Sequence, residues 1–400
     1  MAKLALNFIC KDEHLTIERM LESVKTITDL IVANDTGSSD GTQELIRNFG
    51  VKNNIPTYVF ERPFDDFGSS RDFALQQLKA VVKNLGWDLE TSWGYWIDCD
   101  ENLIIQPSFD KDLLDKDSYI VAGAHRRDTS TKFTRDTFFR LSKDFYWEGP
   151  IHESLVCMDQ PISLSLMEDL FVLTGRDVAS RDEEEFYQKY VRYATMLEAF
   201  VEKGNRDPRW IYYTANSYDM AGKLCQEPPT RQRYLESAIK YYAERVEQAD
   251  GDPEERYYAQ FKLGIISARL GYGWSDVESA LLKAYELDHL RGESFRPIIQ
   301  YYMASKNWEK AYQYSSFALS HFHGNNPCGD RYLLVQEPLY NWQFLFTHFL
   351  VCLNYDKIEE AKRHHEVLLT LIKEKRDLFT VEDIQQIKSY KLASPKPPIP

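Results

Sequence analysis

Short apolar runs alternate with helical patterns along the first hundred residues of the chain. Four apolar runs have the length and the bounding residues of buried strands: Leu4 to Cys10, Leu30 to Ala33, Thr57 to Phe60 and Gly94 to Ile97. Three segments between them carry apolar residues at helical spacing: His14 to Val24, a stretch beginning at Gln43, and Arg71 to Val82. Because strands that alternate with helices build a parallel sheet, we predict an N-terminal α/β domain.

The strand pattern stops at about residue 183, and long helical patterns rich in Tyr, Ala, Glu and Lys follow. Four helical segments share a Glu two positions before an Ala: YLESAIKYYAERV, DVESALLKAYEL, WEKAYQYSSFAL and KIEEAKRHHEVLL. A small Ala lets a paired helix approach closely, so the pattern predicts a helical repeat domain of the tetratricopeptide type. The irregular spacing of the segments leaves a non-repeating helical bundle open. We predict an α/β domain at residues 1–180, a helical domain at 181–390 and a disordered proline-rich tail at 391–400.

Composition narrows the classes of function. The chain has 62 acidic and 48 basic residues, a formal charge of -14, which argues against a protein that coats nucleic acid or an anionic membrane by its field alone. Its cysteines show no CxxC or Cys/His zinc spacing, so we expect reduced thiols in a cytosol-like compartment. We find no signal-peptide pattern and no apolar stretch of the roughly 18 to 20 residues that a membrane span needs, and therefore expect a cytoplasmic protein.

The second predicted strand runs directly into the sequence VANDTGSSDGT at residues 32–42. Asp, Ser and Gly are turn-forming residues, so the segment predicts a capped turn. Open α/β sheets also bind ligands at the carboxyl ends of their strands, where such loops lie. These residues alone leave both interpretations open.

A second acidic cluster, WGYWIDCDENL, follows the fourth predicted strand. Asp98 and Asp100 stand at i and i+2, where both carboxylates can reach one side as the strand ends. Hard oxygen ligands of this kind suit Mg²⁺ or Mn²⁺ bound with a diphosphate, although a lone DxD is also an ordinary polar strand end. Both acidic segments would lie at the same edge of a parallel sheet, where a nucleotide could bind.

The N-terminal half resembles family 2 glycosyltransferases of the GT-A type. The resemblance covers roughly residues 4–160 and rests on five segments in the family's order: LNFICKDEHLTIERMLESV, VANDTGSSDGTQELI, RPFDDFGSSRDFAL, WIDCDENL and WEGPIHESL. It implies a Rossmann-like GT-A fold and a metal-dependent, inverting transfer of a sugar from a nucleoside-diphosphate sugar. Asp35, with Thr36 and Gly37, would hold the nucleoside. Asp98 and Asp100 would bind the metal and the sugar diphosphate.

Three further site residues follow from the resemblance. Arg71 would meet a phosphate or a base edge, and its alternative is an ion pair with Asp66 or Asp72 near the start of its helix. Inverting transfer needs a base for the acceptor's proton. Glu153 and His152 are the candidates for this base, and neighbours on a strand face opposite ways, so the sequence does not decide between them.

The sequence does not decide the roles of several other residues near the site. Glu101 is a further acidic candidate behind the pair, and either base candidate could instead be a structural partner of an arginine. The arginines considered are Arg126, Arg127, Arg135 and Arg140. Relatives often carry a His after a later apolar run. This chain has Thr174, Gly175, Arg176 and Asp177 in that region. Arg176 could therefore meet the diphosphate, and we expect His125 to pack near the acceptor.

The leading hypothesis is a glycosyltransferase that moves a sugar from a UDP-sugar, with Mn²⁺ or Mg²⁺, to a peptide, protein or glycan acceptor. The chain resembles glycosyltransferases with appended tetratricopeptide helices, including those that act on peptide cysteines, and concave repeat surfaces bind extended peptides. Alternatives are transfer to a lipopolysaccharide or lipid-linked saccharide, transfer to a modified nucleic-acid base, and a catalytically degenerate scaffold. Self-association through the many Tyr and Phe residues is left open.

Overall fold

The computed structural model describes residues 2–114, 120–126, 132–159, 165–174, 183–324 and 333–390. The chain divides into two compact units, Met1–Gly204 and Asn205–Pro400. The predicted disordered tail and the predicted contacts of Arg127, Gly175, Arg176 and Asp177 fall outside the described residues. Among the described residues, we find no helix that is both long enough and apolar enough to span a bilayer.

The first unit combines strands and helices. Its strands are β1 (Lys3–Cys10), β2 (Leu30–Asp35), β3 (Thr57–Glu61), β4 (Ser92–Tyr95), β5 (Asn102–Ile105), β6 (Ile120–Arg126), β7 (Lys132–Arg140), β8 (Phe145–Glu148), β9 (Ser154–Cys157) and β10 (Ser165–Thr174). Its helices are α1 (Ile17–Val24), α2 (Thr42–Asn53), α3 (Phe67–Asn84) and α4 (Glu183–Glu202). The predicted α/β class is confirmed.

Eight strands form one mixed sheet in the order β3-β2-β1-β4-β7-β6-β10-β5. The four strands predicted from the sequence, β1 to β4, pair in parallel as expected. The other half of the sheet departs from the expected parallel order, because β7 runs antiparallel to both β4 and β6, and β5 runs antiparallel to β10. Strands β8 and β9 form a separate antiparallel hairpin.

Helices cover both faces of the parallel half of the sheet. On one face, Leu6 and Phe8 of β1 belong to a cluster with Met20 and Leu21 of α1. On the other face, Ala5 belongs to a cluster with residues of α3. Burial on both sides explains why these strands read as continuous apolar runs in the sequence. Because β1 pairs in parallel with both β2 and β4, the carboxyl ends of these three strands lie together at one edge of the sheet.

The second unit is helical throughout its described residues. Its helices are α5 (Pro208–Leu224), α6 (Pro228–Glu247), α7 (Pro253–Arg269), α8 (Trp274–Leu287), α9 (Phe295–Ala304), α10 (Trp308–Phe322), α11 (Phe344–Asn354), α12 (Ile358–Glu374) and α13 (Val381–Ser389), and a π-helical turn (Leu339–Gln343) precedes α11. Three of the alanines of the shared pattern, Ala238, Ala311 and Ala361, are fully buried.

Glycines allow close contacts between paired helices. A Cβ on Gly222 of α5 would come within 2.8 Å of Leu235 in α6, and one on Gly264 of α7 within 2.6 Å of Leu281 in α8. The close approach within these two helix pairs therefore depends on a missing side chain in the first helix of each pair. The sequence pattern of Glu and Ala did not identify these positions.

The boundary between the two compact units lies later in the chain than the predicted boundary between residues 180 and 181. Helix α4 belongs to the first unit, which extends to Gly204. Tyr193 of α4 packs edge-on against Phe67 at the start of α3, with ring centroids 6.1 Å apart. A helical pattern alone does not show which unit a helix packs against, whereas this aromatic contact places α4 against the α/β unit.

Candidate functional site

The loop after β2 is shaped by the last residue of the strand. Asp35 is buried, and its Oδ1 accepts hydrogen bonds from the backbone N–H groups of Gly37 and Ser38, both at 2.8 Å. Burial opposes ionisation, but a hydrogen bond from the Ser38 side chain, together with these backbone hydrogen bonds, outweighs it and lowers the pKa of Asp35. Gly37 has φ +113°, a conformation that disfavours a side chain, and Thr36 is held by its N–H bond to the Cys10 carbonyl. Asp35 therefore supports the loop from within.

The loop after β1 clasps the loop after β2. Asp12 Oδ1 accepts from the N–H of Ser39 at 2.8 Å, and the N–H of Asp12 donates to Ser38 Oγ at 2.9 Å. Asp40 accepts from the N–H of His14 at 2.9 Å and from Thr42 at the start of α2. Backbone and hydroxyl groups of two strand ends are thus fixed in one polar rim, which is the usual place for a ligand in an open α/β sheet.

Arg71 lies at the centre of the candidate site. It is buried in the first turns of α3, and its Nε donates to Glu153 Oε1 and its Nη2 to Asp98 Oδ1, each at 2.5 Å. Its guanidinium carbon lies 4.5 Å from the ring centre of Trp96 and 5.1 Å from that of Trp147. One cation therefore joins carboxylates that stand 55 residues apart in sequence, and two mutually perpendicular indole rings pack against it.

Burial lowers the affinity of a guanidinium for its proton, but Asp98 and Glu153 more than compensate and raise the pKa of Arg71. The arginine is consequently a permanent positive charge inside the site. The sequence alternative, an ion pair of Arg71 with Asp66 or Asp72, is wrong. Asp66 instead caps α3 by accepting from the N–H of Ser69 at 2.7 Å. Asp72 accepts from the N–H of Trp147 at 2.5 Å.

The start of α3 also holds the loop between β8 and β9. The N–H of Phe67 donates to the Pro150 carbonyl at 3.0 Å, and a Cβ on Gly68 would come within 2.3 Å of the Gly149 carbonyl oxygen. Only a glycine allows this approach without movement. The contacts of Phe67, Gly68 and Asp72 fix the hairpin loop that carries Glu153.

The segment after β4 presents two carboxylates on either side of a buried thiol. Asp98 and Asp100 are partly exposed, whereas Cys99 is buried with its Sγ 3.5 Å from the Ile9 carbonyl. Glu101 is buried and its Oε2 accepts from the N–H of Asp98 at 3.0 Å, while its own N–H donates to the Asp98 carbonyl. Glu101 therefore shapes the turn on which the two aspartates stand.

The neighbouring base candidates lie in different surroundings. Glu153 is largely buried and contacts Arg71, while His152 is exposed, has φ +55°, and has its ring centre 6.3 Å from that of Tyr193 in α4. The backbone turn at His152 sends the two side chains to different places. Glu153 contacts the cation that also binds Asp98.

The remaining sequence candidates divide into two groups. Arg140 is buried over the ring of Trp93, at 4.9 Å, so it belongs to the sheet core next to β4. For His125, Arg126, Arg135 and Thr174 the structure describes the backbone and not the side chains. The sequence reasoning did not identify Trp96 and Trp147, although a Trp directly before each acidic motif, in WIDCD and WEGPIHE, was the available signal.

No family model matches the chain. A TPR repeat-containing protein of Synechococcus elongatus is 24% identical over 293 residues, covering 70% of this chain and 64% of that protein. The chain thus spans less than two thirds of the length of this curated relative. The name of the relative refers to TPR repeats, which agrees with the helical second unit.

Solved structures resemble the chain only weakly. Residues 1–349 of S. aureus TarS in complex with UDP are 12% identical, with a TM-score of 0.36 over 67% of this chain and 92% of that one. Full TarS is 10% identical with a TM-score of 0.34, over 71% of this chain and 54% of that one. MamA is 11% identical with a TM-score of 0.34, over 50% of this chain and 99% of that one. Similarity at this level carries no argument about function.

Proposed function

We propose that the chain is a metal-dependent glycosyltransferase that moves a sugar from a nucleoside-diphosphate sugar to an acceptor. The observation that supports the proposal is the contact of Arg71 with both Asp98 and Glu153. Three sequence segments far apart in the chain converge through this one side chain, at the carboxyl edge of the parallel strands. A fold that needed only a stable core would gain little from burying a cation between two acids, since such pairs are costly to desolvate.

The donor set after β4 fits a hard divalent cation. Asp98 and Asp100 offer carboxylate oxygens on a partly exposed turn. The sulfur of the intervening Cys99 contacts the Ile9 carbonyl near the end of β1. Oxygen ligands of this type suit Mn²⁺ or Mg²⁺. When bound, such a cation would neutralise charge on the departing diphosphate.

Glu153 is the residue that we assign as the base. Arg71 contacts its Oε1, so we assign Oε2 to the acceptor's proton. In the transfer, the acceptor oxygen or sulfur loses its proton to Oε2 and forms the new bond to the sugar's anomeric carbon. The bond from that carbon to the diphosphate breaks, and the electron pair leaves with the diphosphate. Arg71 acts as a positioning residue, because its short contacts hold Glu153 and Asp98 together.

The loops after β1 and β2 are assigned to the nucleoside. Asp35 is occupied with its own loop, so the proposal gives nucleoside contacts to the loop that Asp35, Thr36 and Gly37 shape. The donor nucleotide is proposed as UDP. The acceptor is proposed as a peptide, protein or glycan bound in part by the helical unit, which we interpret as a tetratricopeptide-like repeat domain.

The test is a donor panel with the full chain. UDP-, GDP- and dTDP-sugars are incubated with Mn²⁺, and donor binding by calorimetry and released nucleotide are measured separately. We expect Glu153→Gln to keep donor binding and to lose about 10²-fold or more of turnover, since general-base catalysis contributes that much. We expect Asp98→Asn and Asp100→Asn to lose the Mn²⁺-dependent part of binding.

Two control variants sharpen the test. Asp65→Asn removes an exposed carboxylate of the same unit that pairs with Arg62. This variant should change neither donor binding nor the release of nucleotide. His152→Gln should retain most of the turnover if Glu153 is the base. Failure of every donor to bind would contradict the proposal and would favour the degenerate scaffold. Equal losses in Asp65→Asn and Glu153→Gln would contradict the assigned site.

A further inference from the structure

The helical unit contains a cluster of metal-binding side chains far from the sugar-transfer motifs in sequence. His348 and Cys352 stand four residues apart on α11, and Glu360 and His364 stand four residues apart on α12. Residues four apart share one face of a helix. The short turn between α11 and α12 therefore brings two pairs of ligand-type side chains face to face.

Three of the separations between the donor atoms are close to those of ligands around a tetrahedral ion. Nε2 of His348 lies 3.2 Å from Glu360 Oε1 and 3.4 Å from Cys352 Sγ, and Nε2 of His364 lies 3.6 Å from the same Oε1. One ligand atom from each of the four residues lies within 4.8 Å of all the others. Zinc bonds of about 2.0 to 2.3 Å place tetrahedral ligand atoms about 3.3 to 3.8 Å apart. The three separations match this spacing.

Hydrogen bonds outside the cluster orient its ligands. His348 Nδ1 lies 2.8 Å from Ser315 Oγ, which donates in turn to the Tyr312 carbonyl at 3.3 Å, so the outer ring nitrogen is engaged and Nε2 points inward. The Tyr312 hydroxyl donates to Glu360 Oε2 at 2.9 Å, which leaves Oε1 on the inner side. Metal-binding histidines and carboxylates are typically supported in this way.

Within the cluster, hydrogen bonding is incomplete. Nε2 of His364 is buried and makes no hydrogen bond to any residue that the structure describes. Nε2 of His348 faces both a thiol and a carboxylate, although one ring nitrogen forms a single good hydrogen bond. A cation bound between the four atoms would satisfy all of them at once.

We propose that His348, Cys352, Glu360 and His364 bind one zinc ion that joins α11 to α12. A thiolate and a carboxylate balance the two charges of the ion, and sulfur with two imidazoles is the donor set of zinc and not of Mg²⁺ or Mn²⁺. Four protein ligands leave no open position, so the site is structural. Its chemistry differs from that of the hard-oxygen pair Asp98 and Asp100, and it does not depend on the proposed transferase activity.

The test uses the full, tag-free chain, stripped of metal by a chelator and dialysed. Zinc is titrated against a chromophoric chelator, and Co²⁺ is added separately to report a thiolate ligand by its near-ultraviolet charge-transfer band. We expect one tight zinc per chain, retained in the double variant Asp98→Asn with Asp100→Asn. That variant separates this site from the motif after β4, so failure of one proposal leaves the other intact.

Matched variants localise the ion. Cys352→Ser should abolish the cobalt band, and Cys225→Ser, which changes another buried cysteine of the same unit, should keep it. His364→Gln should weaken zinc binding strongly, and His321→Gln, which changes an exposed residue of α10, should not. Tyr312→Phe should weaken it about 10-fold to 100-fold, as expected for a residue that orients a ligand.

The outcomes are decisive in either direction. A cobalt band unchanged in folded Cys352→Ser would overturn the assignment, as would zinc binding that disappears only with Asp98 and Asp100. If Cys352→Ser does not fold, His364→Gln decides the matter, because its side chain is partly exposed and its replacement keeps the shape of the helix face. Zinc affinity of His364→Gln equal to that of His321→Gln would then refute the site.

Discussion

Replacement of Arg71 by Met should destabilise the first unit more than any single change to its partners. The side chains of Arg71 and Glu153 are only 7% and 11% exposed, whereas that of Asp98 is 37% exposed. Removing one member of a buried ion pair leaves an uncompensated charge and costs about 3 to 5 kcal/mol. We therefore expect Arg71→Met to cost about 3 to 5 kcal/mol of the free energy of unfolding.

The two partners should differ from each other. Glu153→Gln removes a buried, charge-assisted hydrogen bond, so it should lower the free energy of unfolding by about 1.5 to 3 kcal/mol. Asp98→Asn acts at a more exposed and solvent-screened position, so about 1 kcal/mol or less is expected. Arg71→Lys keeps the charge, but a single ammonium does not reproduce the contacts of Nε and Nη2. Its loss of unfolding free energy should therefore lie between the losses of Glu153→Gln and Arg71→Met.

The assay is hydrogen exchange read by mass spectrometry on peptides from α3 and from the β8–β9 hairpin, combined with urea unfolding. Peptides from the helical unit serve as the internal control, because the two compact units need not unfold together. Equal costs for Asp98→Asn and Glu153→Gln would refute the reasoning from burial. A coupling below about 0.5 kcal/mol between Arg71→Met and Glu153→Gln in a double-mutant cycle would refute the ion pair itself.

Three further predictions concern other features of the fold. Gly68→Ala should displace the loop at Gly149 and lower stability by about 1 to 3 kcal/mol, seen as faster exchange in the hairpin, while Ser69→Ala should not. Gly264→Ala should cost about 1 kcal/mol in urea unfolding, because the clash with Leu281 exceeds the gain in helix propensity. Burial raises the pKa of Glu255 from its ordinary 4.5 to about 7, so the folded state holds a proton that the unfolded chain has released. The stability from that proton is complete below the unfolded pKa of 4.5 and is lost as the pH rises to about 7, by about 1.4 kcal/mol per pH unit between the two values. The free energy of unfolding of Glu255→Gln should therefore gain on that of the parent from about pH 4.5 to about pH 7 and then level off. A flat difference between the two proteins over that range would contradict the Glu255 prediction.

Part of the site was predictable because its residues follow recognisable strand ends. Asp98 follows β4 and Asp35 ends β2, and parallel strands with intervening helices place such positions at one edge. Arg71 was identified only through its motif, and the ion-pair partners considered as its alternative, Asp66 and Asp72, were wrong. Its actual partner Glu153 lies on a hairpin, and no spacing in the sequence shows which hairpin will fold over which helix.

The choice between His152 and Glu153 illustrates the same limit. Alternation along a strand shows that neighbours point apart, but the side of the chain that faces the site depends on the backbone turn at His152 and on the fit of Gly68 against Gly149. The same limit applies to the helical unit. Its i,i+4 pairs, His348 with Cys352 and Glu360 with His364, match no CxxC or Cys/His zinc spacing, so no zinc site was predicted from the sequence, and only the packing of α11 against α12 brings the two pairs together.

The sequence by itself determined the alternation of β1 to β4 with their helices, the change to a helical texture, and the acidic strand ends. Local periodicity and turn chemistry act over a few residues, and those features are written in single segments. Tertiary structure alone decided the antiparallel half of the sheet, the place of α4 in the first unit, the partners of Arg71 and the meeting of four ligand-type side chains between α11 and α12. Each of these depends on contacts between residues distant in the chain, which packing selects and local patterns do not record.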